Sequence, residues 1–313
     1  MKLSTSTCDF GGVPGTGDIR YRLSLYKATP FKYINFEIGG YGLEDENEEQ
    51  FSAYIDAAKR AGEEFGLTFV QAHGPNADRP YASEENYKKA IRVHTRLLEA
   101  CAELGIPCVV IHATSTHRFS TDEFFDFNVK YYRDLIPAME KTGVSVLTEN
   151  MEFFEYYNLA TGADMAELVD AVDHPLFGAC WDIAHANMCK KTKGVNSQYN
   201  SIMKLGNRLK ALHVADNFGP GPHNHIFPLE GTVSWDEIMN ALIDVGYKGY
   251  FNFETQYTLR HSEWIPYKRR HFEYKGEDQT KLLNPPVHLK QEAVSLLYAT
   301  GKAVLEAYDC YEE

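Results

Sequence analysis

The chain has 313 residues, of which 44% are hydrophobic and 24% are charged, as is typical of a folded globular protein. Its 31 basic and 44 acidic residues give a net charge of −13, which argues against nucleic acid as a partner because binding to a phosphate backbone depends on Lys and Arg. No apolar run approaches the ~18 residues of a membrane span, and the N-terminus lacks the apolar stretch of a secretory signal. The six Cys are scattered without a close pair, so we expect a cytoplasmic protein with reduced thiols.

Eight short runs rich in apolar and β-branched residues recur along the chain. Each is too short for a helix and lacks regular polar alternation, which is typical of strands buried on both faces of a parallel sheet. The runs are Lys2–Thr7, Tyr33–Ile38, Thr68–His73, Cys108–His112, Val144–Glu149, Phe177–Asp182, Leu209–Val214 and Gly249–Glu254.

Amphipathic stretches that carry helix start and stop signals separate these runs. The predicted helices are Glu48–Phe65, Ser83–Leu104, Thr121–Lys141, Ala163–Val172, Ser234–Val245 and Leu289–Tyr308. Because parallel neighbouring strands need a helical crossover, the alternation predicts an α/β fold, a single (β/α)8 TIM barrel domain over residues 1–313. A doubly wound open sheet is the alternative. Extended loops are expected after strands 7 and 8, at Asn217–Gly231 and Thr255–His288.

The last residue of several predicted strands is polar, although the rest of each strand is apolar. In a barrel, the carboxyl ends of the strands converge on one mouth. In the third to eighth strands these residues are His73, His112, Glu149, Asp182, His213 and Glu254. The last four stand on adjacent strands, and three carboxylates facing one space repel each other unless a cation joins them. Oxygen donors with one imidazole suit Mn²⁺ best here, with Mg²⁺ or Co²⁺ as alternatives. We therefore predict one divalent metal bound by Glu149, Asp182, His213 and Glu254.

Three features near these strand ends are candidates for substrate binding. His185 follows Asp182 by three residues and is expected above the metal, or else as a helix cap. His223 and His225 lie in the loop after strand 7, which is alternatively a solvated loop. Glu37 ends strand 2, where it is expected to bind a sugar hydroxyl or to be buried and paired.

The sequence resembles the sugar-phosphate isomerase/epimerase superfamily of xylose isomerase-like barrels, which includes ketose 3-epimerases, inosose dehydratases and endonuclease IV. The motifs that carry the resemblance are Leu147–Asn150, Trp181–His185, Leu212–Asp216 and Phe253–Glu254. The resemblance implies that the four strand-end residues named above bind one metal, that Glu149 and Glu254 also form the acid/base pair, and that His185 contacts substrate.

At two places the sequence departs from patterns of the superfamily, and both departures help to decide which member activity the chain has. The ketose 3-epimerases have a Gly-Glu-x-Asn-Arg run after the metal-binding His, but Ala215–Gly219 lacks that Arg. In endonuclease IV, histidines and a loop resembling Pro222–Gly231 build a trinuclear zinc site. His73, His112 and His225 match three of those ligands, while His223 replaces an Asp. We interpret these histidines as substrate contacts in a polyhydroxyl pocket, with a second metal as the alternative.

We therefore predict a metal-dependent isomerase or epimerase of a sugar or sugar phosphate, which abstracts a proton next to a carbonyl through a metal-stabilised enediolate. Catalytic residues are predicted as Glu149, Glu254 and His185, and substrate-binding residues as Glu37, His73, His112, His185 and His225. The alternative is a lyase or dehydratase on a cyclic polyol or oxidised sugar, resembling inosose dehydratase or C-glycoside-cleaving enzymes. An endonuclease IV-type nuclease is disfavoured by the negative charge, and a non-catalytic binding role is the remaining class.

The loop over residues 255–288 is expected to meet a second copy or a partner subunit, or to cap a sugar ring. The residues that suggest this are Trp264, Tyr267, Lys268, Arg269, Arg270 and Phe272. The basic side chains of Lys268, Arg269 and Arg270 bind a phosphate group of the substrate in one interpretation and form a solvated basic turn in the other.

Overall fold

Eight parallel strands form the centre of the protein and lie in the order β7-β6-β5-β4-β3-β2-β1-β8. The computed structural model describes residues 1–151, 159–189, 197–221, 224–255, 258–260 and 269–313. The strands are β1 (Leu3–Ser6), β2 (Tyr33–Glu37), β3 (Thr68–His73), β4 (Cys108–Val110), β5 (Ser145–Glu149), β6 (Phe177–Asp182), β7 (Leu209–His213) and β8 (Phe251–Phe253). All eight predicted strands are therefore confirmed.

A parallel bridge between Val214 and Phe253 joins β7 to β8 and closes the ring. The Val214 N–H donates to the Asn252 carbonyl at 2.8 Å, and the Glu254 N–H donates to the Val214 carbonyl at 3.1 Å. The closed ring with helices between its strands confirms the (β/α)8 TIM barrel and excludes the open doubly wound sheet.

The helices follow the predicted pattern, with three additions and one correction. They are α1 (Ile19–Ser24), α2 (Glu48–Phe65), α3 (Glu84–Glu103), α4 (Thr121–Asp134), α5 (Ile136–Thr142), α6 (Gly162–Val172), α7 (Ile183–Cys189), α8 (Gln198–Leu205), α9 (Trp235–Asp244) and α10 (Val287–Glu306). The prediction of one helix over Thr121–Lys141 was wrong, because Pro137 in the first turn of α5 cannot donate the hydrogen bond that would continue α4. Within the described ranges, no helix combines the length and apolar character needed to cross a bilayer.

Long connections follow β7 and β8 as predicted, before α9 and α10, and residues 222–223, 256–257 and 261–268 of these connections lie outside the described residues. The second carries a hairpin of β9 (Glu273–Tyr274) and β10 (Glu277–Asp278). Its central residues Lys275 and Gly276 have φ values of 54° and 80°, as a two-residue type I′ turn requires.

The structure describes only some of the residues predicted to act in the loop after β8. Trp264, Tyr267 and Lys268 lie outside the described residues. The Arg269 guanidinium donates to the carbonyls of Arg260 and Leu283, so it braces the loop internally. Phe272 on the hairpin is 61% exposed, and its meeting with a partner subunit or a sugar ring stays a prediction.

A buried carboxyl close to β1 gives the stability of the fold a pH dependence. Thr5 Oγ1 donates to Asp9 Oδ2 at 2.7 Å, and the Tyr26 hydroxyl lies 3.4 Å from the same oxygen. Burial raises the pKa of Asp9 from 3.8 to about 6, although Lys290 acts in the opposite direction. Since the folded-state pKa lies above the unfolded one, this carboxyl stabilises the fold when protonated, and that stability is lost as the pH rises from about 4 through 6.

We expect Asp9→Asn to gain stability relative to the parent protein as the pH rises from 4 to 8, because the amide cannot ionise. The gain should approach about 3 kcal/mol by the linkage between a pKa shift of roughly two units and the free energy of unfolding. Urea unfolding of both proteins across this pH range measures the difference. A difference that does not change with pH would contradict the raised pKa of Asp9.

Candidate metal centre

Four side chains at the carboxyl ends of β5 to β8 converge at the mouth of the barrel. Each member of the quartet (Glu149, Asp182, His213 and Glu254) offers one ligand atom, and these atoms lie within 4.8 Å of one another. His213 Nδ1 lies 2.8 Å from Glu254 Oε2 and 3.0 Å from Glu149 Oε2. The four residues are 0–9% exposed. The arrangement brings together all four residues that the sequence predicted as metal ligands.

Strand register and one side-chain amide place the quartet. Glu149 pairs with Cys180 across β5 and β6, and Asp182 pairs with His213 across β6 and β7, so the strand ends lie level. Asn150, which follows Glu149, donates through Nδ2 to the Asp182 carbonyl at 2.9 Å and accepts the Asp182 N–H at 2.7 Å. This reciprocal pair of hydrogen bonds continues the β5–β6 ladder beyond Glu149, a role of Asn150 that was not predicted from the sequence.

The donor set of the quartet fits a divalent cation. Asp182 Oδ2 is buried without a hydrogen bond, and His213 Nδ1 faces the Glu149 and Glu254 oxygens without hydrogen-bond geometry, a condition that costs free energy unless another partner satisfies these atoms. Both atoms face the carboxylate oxygens of the quartet, and three carboxylates with one imidazole are ligands that such ions take. The quartet therefore has the composition and the unsatisfied atoms of a cation site.

The pKa values of the residues around the quartet reflect the crowding of buried carboxylates at this site. Burial opposes ionisation of Glu149, but His213 and His112 lower its pKa well below the ordinary value. Burial raises the pKa of Asp182, and His185 offsets this only in part. Burial alone would lower the pKa of His185, yet the nearby Asp182 and Glu149 raise it to about 10. Protons on the imidazoles thus balance the carboxylates, and a bound cation would displace them.

Two histidines and a glutamate form one flank of the mouth. His73 Nε2 lies 3.0 Å from His112 Nε2, which in turn lies 3.1 Å from Glu149 Oε2. His73 Nδ1 lies 3.0 Å from the Gly74 carbonyl, to which it donates. Glu37 Oε1 accepts from the Ser6 hydroxyl at 3.0 Å, and its side chain is 23% exposed. These predicted substrate-binding residues therefore lie together beside the quartet.

His185 and His225 form the opposite flank. The His185 N–H donates to Asp182 Oδ1 at 2.6 Å, and its Nδ1 lies 3.1 Å from Glu149 Oε1. His225 Nδ1 lies 2.9 Å from the Glu254 carbonyl, and the rings of His185 and His225 are 5.3 Å apart. Asp182 therefore caps α7, so the alternative of His185 as the helix cap was wrong. His223 lies outside the described residues.

Gln71, which was not predicted as a site residue, supports the imidazole of the quartet. Gln71, on β3, is 3% exposed, and its carboxamide lies 2.8 Å from His213 Nε2. With a cation on Nδ1, the ring proton would lie on Nε2, and the Gln71 oxygen would accept it once the amide is turned toward the ring. A buried polar residue in the middle of an apolar strand was the available signal.

We expect Gln71→Leu to weaken metal affinity by about 10- to 100-fold, as loss of such an outer hydrogen bond does for other metal-binding imidazoles. Competition with a chromogenic chelator measures the affinity for Mn²⁺. The control is Gln50→Leu, since Gln50 is an exposed residue of α2. Equal affinities of the two variants would remove Gln71 from the site.

Comparisons with known proteins find similar sequences and similar structures. A D-psicose 3-epimerase from Enterocloster bolteae is 28% identical over 240 residues, which cover 73% of this chain and 74% of the relative. The structure of a D-psicose 3-epimerase from Clostridium cellulolyticum H10 with D-tagatose has a TM-score of 0.71 at 18% identity and covers 98% of this chain and 99% of its own. The IolI protein with a bound zinc atom has a TM-score of 0.71 at 16% identity over 100% of both chains.

The two structural likenesses lie at low sequence identity and therefore show a shared fold. The sequence model of the xylose isomerase-like TIM barrel family matches residues 25–273, well over half of the chain. That range contains all members of the quartet and both histidine flanks. The protein therefore belongs to the xylose isomerase-like TIM barrel family.

Proposed function

We propose that the protein is a divalent-metal-dependent isomerase or epimerase of a sugar. The observation that carries the proposal is the convergence of Glu149 and Glu254, from strands on different sides of the mouth, on His213 Nδ1 at 3.0 and 2.8 Å. Relatives named as epimerases of D-psicose and of fructoselysine support the reaction class. The quartet would hold the cation, with Mn²⁺ favoured by its oxygen-rich donor set.

The chain's own residues divide the work of proton transfer. When bound, the cation supplies Lewis-acid stabilisation of negative charge on the substrate oxygens. One of Glu149 and Glu254 removes the proton from the carbon next to the carbonyl, and the other delivers a proton to complete inversion or carbonyl shift. Both carboxylates are largely buried, which limits competition by bulk water for the transferred proton.

The two histidine flanks would hold the substrate. Hydroxyl groups of a sugar both donate and accept hydrogen bonds, which suits the mixture of imidazoles and carboxylate at Glu37, His73 and His112. His185 and His225 face this group from across the quartet and would bind the other end of the substrate. A second equivalent of metal in the loaded protein would instead assign His73 and His112 to a second cation.

Removal of a proton next to a carbonyl is also the first step of a lyase reaction. Ala215–Gly219 lacks the arginine found after the metal-binding His in ketose 3-epimerases, which favours examining substrates that eliminate a leaving group. A cyclic polyol ketone or an oxidised sugar would lose a proton to the same glutamate and then expel a β-substituent. The products distinguish the two reactions.

The test is exchange of substrate protons with D₂O in the Mn²⁺-loaded protein, followed by NMR. The panel contains free ketoses, ketose phosphates, 3-keto-glycosides and an inosose. We expect deuterium at one carbon next to the carbonyl together with an inverted or isomerised product. Elimination products would identify the lyase, and absence of exchange across the panel in fully loaded protein would overturn the proposal.

A further inference from the structure

We propose that Asp216 and Asn217, directly after β7, are positioning residues that set His225 opposite His185. They would do so by clamping the loop after β7 to α7. The inference rests on the proposed function, since it assigns the two histidines to substrate. Neither Asp216 nor Asn217 belongs to the quartet or to the histidine flanks.

Asp216 is a buried carboxylate whose oxygens are satisfied by N–H groups. Oδ1 accepts from the backbone N–H groups of Asn217 at 2.8 Å and Val233 at 3.0 Å. Oδ2 accepts from the Leu229 N–H and the Trp235 indole N–H, both at 3.0 Å. One carboxylate therefore fixes the beginning and the end of the loop, together with the first residue of α9.

The backbone of Asp216 also holds the segment that carries His225. Asp216 and Ile226 exchange two backbone hydrogen bonds of 3.0 Å in an antiparallel bridge. His225 directly precedes Ile226, and its ring reaches the Glu254 carbonyl at 2.9 Å. The position of His225 thus depends on the clamp as well as on β8.

Asn217 connects the same loop to the helix that carries His185. Its Nδ2 donates to the Ala184 carbonyl at 2.7 Å, and its Oδ1 accepts from Asn187 Nδ2 at 2.8 Å. Ala184 and Asn187 lie on either side of His185 in α7. The two histidines are therefore joined through a short set of hydrogen bonds that passes through Asp216 and Asn217.

Two features of the loop conformation depend on its contacts with Asp216 and Asn217. Leu229 has a φ of 75° and is 62% exposed, so packing of its side chain does little to hold this unfavourable backbone state, whereas its N–H is held by Asp216. A Cβ at Gly231 would lie 2.2 Å from the Asn217 carbonyl oxygen and 2.3 Å from Asp216 Oδ1. Only glycine allows the chain to pass so close to both residues.

The kinetic test compares Asp216→Asn and Asn217→Ala with the parent protein, all loaded with Mn²⁺. An amide at position 216 turns an N–H₂ toward N–H donors, and misplacement of a substrate contact by about 1 Å costs on the order of 100-fold in rate. We expect kcat/KM to fall by about 10- to 100-fold while Mn²⁺ affinity stays within about threefold of the parent value. The matched control, Asp170→Asn, changes an exposed carboxylate paired with Arg208 and should leave kinetics unchanged.

A second readout does not depend on activity. Hydrogen exchange at the amides of Ile226, Leu229 and Val233 should accelerate in Asp216→Asn but not in the control. Adding Leu229→Gly to Asp216→Asn should recover part of the lost thermal stability, because glycine adopts this φ without help. Parent-like kinetics and exchange in Asp216→Asn, or Mn²⁺ affinity that falls in step with kcat/KM, would overturn the clamp. A parent protein that exchanges no substrate proton would instead overturn the proposed function, while the amide readout still decides the clamp.

Discussion

Replacing either Glu149 or Glu254 by Gln is expected to remove turnover of the sugar substrate. Each carboxylate is assigned both to the cation and to one proton transfer, and a neutral amide can neither take nor deliver that proton. A positioned acid or base is worth about 10²- to 10⁴-fold, so each variant should lose at least that factor in kcat even when metal is saturating. Loss of one negative ligand should also weaken Mn²⁺ binding.

The measurement pairs steady-state kinetics with metal analysis of the same samples. Glu140→Gln is the control, since the Glu140 carboxylate lies 3.5 Å from His174 at the surface and offers a similar pair away from the mouth. Full activity of Glu149→Gln or Glu254→Gln at high Mn²⁺ would show that other groups carry out the proton transfers.

Removal of the metal should lower the thermal stability of the protein and abolish its activity, and Mn²⁺ should restore both. Without a cation, buried carboxylates of the quartet depend on protonated imidazoles for neutrality. A ligand at a hundredfold excess over its Kd stabilises the folded state by about 2.7 kcal/mol. Because the cation displaces protons from the site, its affinity should increase as the pH rises.

Thermal unfolding with a chelator and with added Mn²⁺ measures this stabilisation. In Asp182→Asn most of the metal-dependent increase in Tm should disappear, because one buried ligand is lost. The exposed Asp170→Asn variant should keep the full increase. An identical Tm with chelator and with Mn²⁺ in the parent protein would remove the quartet as a metal site.

Much of the barrel and the quartet could be predicted because both depend on local patterns. Apolar runs marked the strands, and a polar residue at the end of a strand such as β5 or β6 marks the mouth. Parallel register then brings Glu149 and Asp182 to the same level without further information. The convergence of the quartet follows from barrel topology and strand register, to which Asn150 adds the hydrogen bonds that hold Asp182.

The supporting residues could not be predicted in the same way, since their roles depend on contacts between distant segments. Helix α7 is buried on every side, so its sequence lacks the amphipathic period that marks a surface helix. Gln71 contacts His213, and Asp216 accepts hydrogen bonds from Val233 and Trp235, only once the chain has folded. Pro137, by contrast, was a local signal for the break between α4 and α5.

A cation bound by the quartet would link the lifetime of the fold to the pairing between β7 and β8. The bridge at Val214 lies between His213 and Glu254, which stand on the two strands that it joins. A cation held by both residues crosslinks the barrel where its last pair of strands meets. Release of the ion and local separation of these strands would then be coupled events, so slow metal dissociation would also slow irreversible inactivation.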